Sequence, residues 1–234
     1  MANAAAVRRR EAQFQIKLSR YEYQVLHQSL ADGFLLTFCG DSHARNLHKR
    51  REVLRELFPT ATITFVGKGG LNIDRFTQQN YLHAANSDHA FTRLYRIAVL
   101  WLGSNDADVA TWPVGRPLNT TGNRLLALRE SLLESFDLCF VIGFPERDNC
   151  RGRNAQLVHQ ISLRSNQRLY EVLKGFYVKL PKEAFNFEGN ERFACDGVHH
   201  SNTLYTSILR LVGQRINGIM QGDRRYVKII NENV

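Results

Sequence analysis

The 234-residue chain has no apolar run approaching the roughly 20 residues that a membrane-spanning helix needs. Its opening "MANAAAVRRREAQ" sets basic residues after a short Ala stretch rather than ahead of a long apolar one, so no secretion signal is read there. An intracellular, cytoplasmic location with no membrane partner is therefore expected. Cysteine is sparse: Cys39, Cys139, Cys150 and Cys195 form no C-x-x-C pair. Cys39 and Cys139 fall in predicted buried strands and read as free thiols, while a Cys150–Cys195 bridge between two loops stays open. Metal-ligand spacing is missing too. His43, His48, His199 and His200 make no H-E-x-x-H, so neither a metal nor an organic cofactor is expected. Internal repeats and low-complexity segments are absent.

Acidic residues are outnumbered, with 22 Asp and Glu against 31 Lys and Arg, a formal net charge of +9. The surplus gathers in "VRRRE", "HKRRE", "RDNCRGRN" and "GDRRYVK". Such a surplus attracts nucleic acid, anionic membranes or acidic substrates. No aromatic-studded basic strand or nucleic-acid motif accompanies it, so a solvated Arg-rich surface is the default reading. Weak nucleic-acid contact through the basic N-terminal arm is the alternative.

What the chain does have is 44% hydrophobic residues, enough for the core of one domain at this length. Residues 1–32 read as a basic helical arm that stops near Gly33. Residues 33–222 form the domain, and residues 223–234 a peripheral tail whose "YVKII" could supply a short edge strand. Within the domain, five short apolar runs alternate with longer amphipathic ones: "FLLTFC" from Phe34, "ATITFVG" from Ala61, "IAVLWLG" from Ile97, "DLCFVIG" from Asp137 and "GFYVKL" from Gly175. Between and after them, Leu125, Leu126, Leu132, Leu133 and Phe136, then Leu157, Ile161, Leu169 and Leu173, then Leu204, Ile208, Leu211, Val212 and Ile219 recur at helical spacing. Strands alternating with helices predict an α/β fold, a five-stranded parallel sheet covered on both faces.

In such a sheet the residues that follow each strand share one edge, where ligands bind. The first strand runs into "GDSH" (Gly40 to His43), the second into "GKGGLN", the third into "GSND" (Gly103 to Asp106), and the loop after the fifth carries "DGVHHS" from Asp196. A hydroxyl, a glycine turn, an amide and an acid-histidine pair thus converge. These are the parts of an acyl-transfer site: a nucleophile, a base with an orienting carboxylate, and donors for an oxyanion.

The four blocks, in this order, resemble those of the SGNH hydrolases, also called GDSL esterases, over roughly residues 33 to 220. The wording is similar to esterase-type domains of uncharacterised animal and retrotransposon-encoded proteins. The resemblance implies a three-layer α/β/α fold with the flavodoxin-like strand order 2-1-3-4-5. It implies Ser42 as nucleophile, His199 as general base and Asp196 as the carboxylate that orients it. The backbone N–H of Ser42, that of Gly70 and the side-chain amide of Asn105 would form the oxyanion hole, with Gly69 as the alternative to Gly70. His200 reads as a surface or pocket-rim residue, His43 as a helix-start residue packed locally, and Asp41 and Asp106 as acceptors that pin the loops. In isolation Gly-Asp-Ser would read Ser42 as a helix N-cap; the "DGVH" block is what favours catalysis.

Two features depart from the usual patterns. A histidine occupies the fourth place of "GDSH" where the family name implies Leu, and "DADVATWPVGRPLNTTG" carries no readable specificity code. The serine also lies outside any G-x-S-x-G, which separates the chain from α/β-hydrolases with a nucleophile elbow. The expected activity is hydrolysis of small or medium acyl esters, acetyl esters among them, through an acyl-enzyme. The alternative is a nucleic-acid-associated accessory module of retrotransposon origin with an idle site.

Overall fold

All five apolar runs become parallel strands, and their register decides where the functional loops meet. The computed structural model describes residues 24–27, 33–78, 81–86, 95–107, 115–145, 155–181 and 199–220. A first strand, β1 (Gln24–His27), precedes β2 (Phe34–Gly40), β3 (Thr62–Gly67), β4 (Tyr95–Trp101), β5 (Leu138–Ile142) and β6 (Tyr177–Val178). The sheet order is β1-β3-β2-β4-β5-β6. Counted from Phe34, the five parallel strands therefore run 2-1-3-4-5, as the resemblance implied. Strand β2 pairs with both β3 and β4 and ends opposite Gly67 on one side and Trp101 on the other. Three strands thus finish at one level, and the loops leaving them start side by side.

The helices are α1 (Ser42–His48), α2 (Arg51–Leu57), α3 (Ile73–Gln78), α4 (Tyr81–Asn86), α5 (Ser104–Ala107), α6 (Thr120–Leu133), α7 (Ala155–Leu173) and α8 (Asn202–Met220). From β2 the chain steps outward to β3, then crosses back to β4 and continues to β5 and β6. Right-handed crossovers taken in opposite directions put their helices on opposite faces. Helices α1 and α2 accordingly cover one face, where α8 returns to pack on both, and α6 packs against α3, α4 and α7 on the other. Continuous apolar strands are required between two such layers. Leu36, Phe38, Phe65, Val99 and Phe140 are all fully buried. Burying each such side chain contributes about 1.5–3 kcal/mol.

One expectation is corrected. Within the arm expected to be helical, Gln24–His27 forms a strand, antiparallel to β3, with Gln24 opposite Phe65 and His27 opposite Ile63. Without it β3 would present a row of unpaired backbone groups, and pairing with that edge outweighs helical patterning in so short a segment. The rest of the arm, the tail after Met220, and Cys150, Asp196 and Cys195 lie outside the described residues. The charged stretch after β2 forms two short helices, α1 and α2. Arg50 leaves helical geometry (φ −81°, ψ 58°). The break lets α1 bury Ala44, Leu47 and His48 while α2 buries Leu54.

Among the described residues no helix is long and apolar enough to cross a membrane. Cys39 and Cys139 are free, fully buried thiols.

Candidate active site

The strand edge where β2 and β4 end is built around one carboxylate. Gly40 has φ +150°, and a Cβ there would stand 1.9 Å from the Trp101 carbonyl oxygen, so only glycine lets the two strands finish this close together. The next residue, Asp41, is fully buried and lies in the crevice where crossovers leave for opposite faces. Its Oδ1 accepts the backbone N–H of His43 at 2.9 Å. Its Oδ2 accepts the hydroxyl of Ser104 at 2.9 Å and the Asn105 amide at 3.1 Å. One side chain therefore starts the helix after β2 and holds the loop after β4, the pinning role expected of it.

Because Asp41 caps α1, the Ser42 hydroxyl is not used for capping. Ser42 is the first residue of that helix, and its Oγ lies 2.8 Å from Nε2 of His199, 157 positions away in sequence. The resemblance implied His199 rather than His200 as the partner of Ser42, and it is His199 that meets the serine.

The residues expected as oxyanion donors stand on the adjoining loops. Gly70 takes a left-handed conformation, φ +76°, with open space where a Cβ would be. Gly69 lies nearer the serine: the position of its absent Cβ is 3.8 Å from Ser42 Cβ and 3.4 Å from Nη2 of Arg45. Asn105 Nδ2 donates to the Leu71 carbonyl at 2.7 Å as well as to Asp41, so the loop after β4 is tied to the glycine loop after β3. Asp106 reinforces that tie. Its Oδ2 accepts the backbone N–H of Ile73 at 3.0 Å and its Oδ1 accepts from Arg124 Nη1 at 3.2 Å. Arg124 also pairs with Asp74 at the start of α3. Burial pushes the Asp106 carboxyl up to about 6, against the lowering effects of the Ile73 N–H and the Arg124 charge.

Behind the histidine, the structure corrects one expectation. His200 is not at the surface but 2% exposed, packed on Trp101, Tyr205 and His43. Burial first, and then the proximity of His199, lower it to about 4, so it is neutral at neutral pH. His43 is packed locally as expected, 1% exposed, with its ring 5.1 Å from Trp101 and 5.4 Å from both His199 and His200. Its Nδ1 is 3.0 Å from the Tyr205 hydroxyl, which also accepts from Asn46 Nδ2 at 3.2 Å. Tyr205 escaped the sequence reading because its helix was judged by its aliphatic stripe. The signal was a hydroxylated ring set between Leu204 and Ile208 on that stripe. Among the described residues no three His, Cys, Asp or Glu side chains gather as metal ligands.

A serine at the end of the central strand, met by a histidine from the final loop across a flavodoxin-like sheet, separates this protein from the α/β-hydrolase architecture. Its fold is that of the SGNH hydrolases. Similar solved structures include a lipase/acylhydrolase from Enterococcus faecalis, 16% identical, with 79% of this chain and 96% of that one covered and a TM-score of 0.55. An acetylxylan esterase from Geobacillus stearothermophilus is 15% identical over 81% of this chain and 96% of its own, with a TM-score of 0.53. A protein from Slackia heliotrinireducens described as a candidate SGNH hydrolase is 16% identical over 79% and 99%, with a TM-score of 0.56. No protein-family model matches the chain, and no curated protein matches it.

Proposed function

We propose that the protein is a serine hydrolase that cleaves small acyl esters, acetyl esters among them, through an acyl-enzyme. The observation that carries this reading is the 2.8 Å contact between Ser42 Oγ and His199 Nε2 at the edge shared by β2 and β4. A serine hydroxyl is a weak nucleophile until a base takes its proton, and this contact supplies the base. His199 Nε2 removes the proton as Oγ bonds to the ester carbonyl carbon, and the carbonyl electrons move onto oxygen. The resulting oxyanion is stabilised by the N–H of Ser42, that of Gly70 and the amide of Asn105. Collapse expels the alcohol, which takes its proton from His199, and water repeats the cycle on the acyl-enzyme.

Asp196, three residues before His199, is assigned through the resemblance to SGNH hydrolases as the carboxylate that fixes the imidazole tautomer. For Asn105 to serve an oxyanion, its amide exchanges the Leu71 carbonyl for the developing charge, which is the stronger acceptor. The nucleic-acid reading rests on the sequence charge of the arm alone, Arg8, Arg9 and Arg10 included.

Intact mass after exposure to a fluorophosphonate tests the proposal. One adduct is expected on the wild type and none on Ser42→Ala or His199→Ala. An unmodified, well-folded wild type would sink it.

A further inference from the structure

The helix that carries the nucleophile and the helix that follows the base are linked behind the site. Helix α1 starts at Ser42 and α8 starts three residues beyond His199, at Asn202. Several contacts join them, but one lies directly behind the reacting pair. His43, the residue after the nucleophile, and Asn46, one turn on, both meet the hydroxyl of Tyr205 on α8. On its other side the His43 ring lies against His199 at a centroid distance of 5.4 Å. Trp101, at the end of β4, closes the cluster by packing on His43, His200 and Tyr205.

Apolar packing alone would fill this volume, and a leucine after the serine would do so without a polar atom. A histidine there needs a partner when buried, and the partner it finds is a phenol on the opposite helix. A hydrogen bond has a preferred length and direction where aliphatic contact has neither, so the pair sets the spacing of α1 and α8 as well as filling it. Packing then passes that spacing to the imidazole of His199. A nucleophile and base must be held within a few tenths of an ångström, and a 1 Å misplacement can cost about 10²-fold in rate.

We propose that His43 and Tyr205 are positioning residues: their hydrogen bond clasps the nucleophile helix to the histidine helix and holds His199 at bonding distance from Ser42. The inference rests on the hydrolase reading for its consequence, but the clasp itself is a statement about geometry.

The test has two readouts. In the first, nitrogen-15 NMR of the histidine rings follows the Nε2 signal of His199, assigned by its loss in His199→Gln and its shift in Ser42→Ala. Tyr205→Phe keeps the ring and removes only the hydroxyl, and it is expected to move that signal towards its Ser42→Ala position. His43→Leu should do the same, the double variant should add little, and His43→Asn, which keeps a polar atom at the place of Nδ1, should move it less. An unmoved His199 signal in folded Tyr205→Phe overturns the clasp.

In the second readout, the fluorophosphonate labelling rate and p-nitrophenyl acetate turnover should fall about tenfold in Tyr205→Phe, in kcat rather than KM. Wild-type rates in that variant also overturn the clasp, while leaving the hydrolase reading intact. A wild type that takes no label, with the NMR shifts as expected, refutes the hydrolase reading and supports the clasp.

Discussion

On one side of the strand edge, where α1 meets α8, the groups behind Ser42 and His199 are rings: His43, His200, Trp101 and Tyr205. On the other side, where the loops after β3 and β4 meet, the supports are carboxylates: Asp41 and Asp106, with Ser104, Asn105, Ile73 and Arg124 gathered on them. The difference fits what each side would do in the proposed reaction. A base that gains and loses a proton is best surrounded by groups whose own charge does not change, and a neutral His200 meets that condition. A loop that would meet a negative oxygen needs a fixed position, and a buried carboxylate binds several N–H and O–H groups more tightly than a neutral acceptor does.

The comparison can be broken most severely at the reacting pair. Ser42→Ala or His199→Ala should lower ester turnover by about 10³-fold or more, near 4 kcal/mol of barrier, with unfolding midpoints unchanged. The carboxylate side should fail structurally instead. Asp41→Ala removes a helix cap and two further hydrogen bonds to a buried charge, and a loss of about 3 kcal/mol in denaturant unfolding is expected. Asp41→Asn, which keeps an acceptor, should lose less; equal losses would show that charge and not loop pinning is what matters there.

Acid should act on the two sides in opposite directions. Asp106 is raised when folded to about 6 from its ordinary 3.8, so the folded chain binds the proton first. Its cost is present above pH 6 and is relieved as pH falls towards 4. Relative to Asp106→Asn, the wild type should gain about 2 kcal/mol across that window. His48 is buried in α1 against Phe65 and is lowered to about 4 from 6.5, by burial and then by the charge of Arg51. There the unfolded chain binds the proton first, so stability is lost as pH falls below 6.5. About 1 kcal/mol should disappear between pH 6.5 and 5.5 in the wild type and not in His48→Phe. Unfolding curves at these pH values check both signs.

The parallel strands were legible because burial on both faces leaves an unbroken apolar run, as in "IAVLW", that few other elements produce. Ser42, Asn105 and His199 were legible because each follows a strand or stands in the last loop, and chemistry-bearing residues are conspicuous there. Strand β1 was not, because four residues of an edge strand carry too little pattern to outweigh a charged, helix-like neighbourhood. The burial of His200 was hidden for a different reason. Polarity predicts exposure only on average, and a ring cluster assembled from residues 43, 101, 200 and 205 exists in three dimensions alone.

The direction of β1 has a practical corollary. Being antiparallel to β3, it enters the sheet at Gln24, opposite Phe65, near the end from which the loops after β2, β3 and β4 emerge. Helix α8 starts beside those loops and runs 19 residues, about 28 Å, away from them. A tether attached at Gln24 would therefore turn the serine towards a solid support, whereas one attached at Met220 would leave it facing the solution.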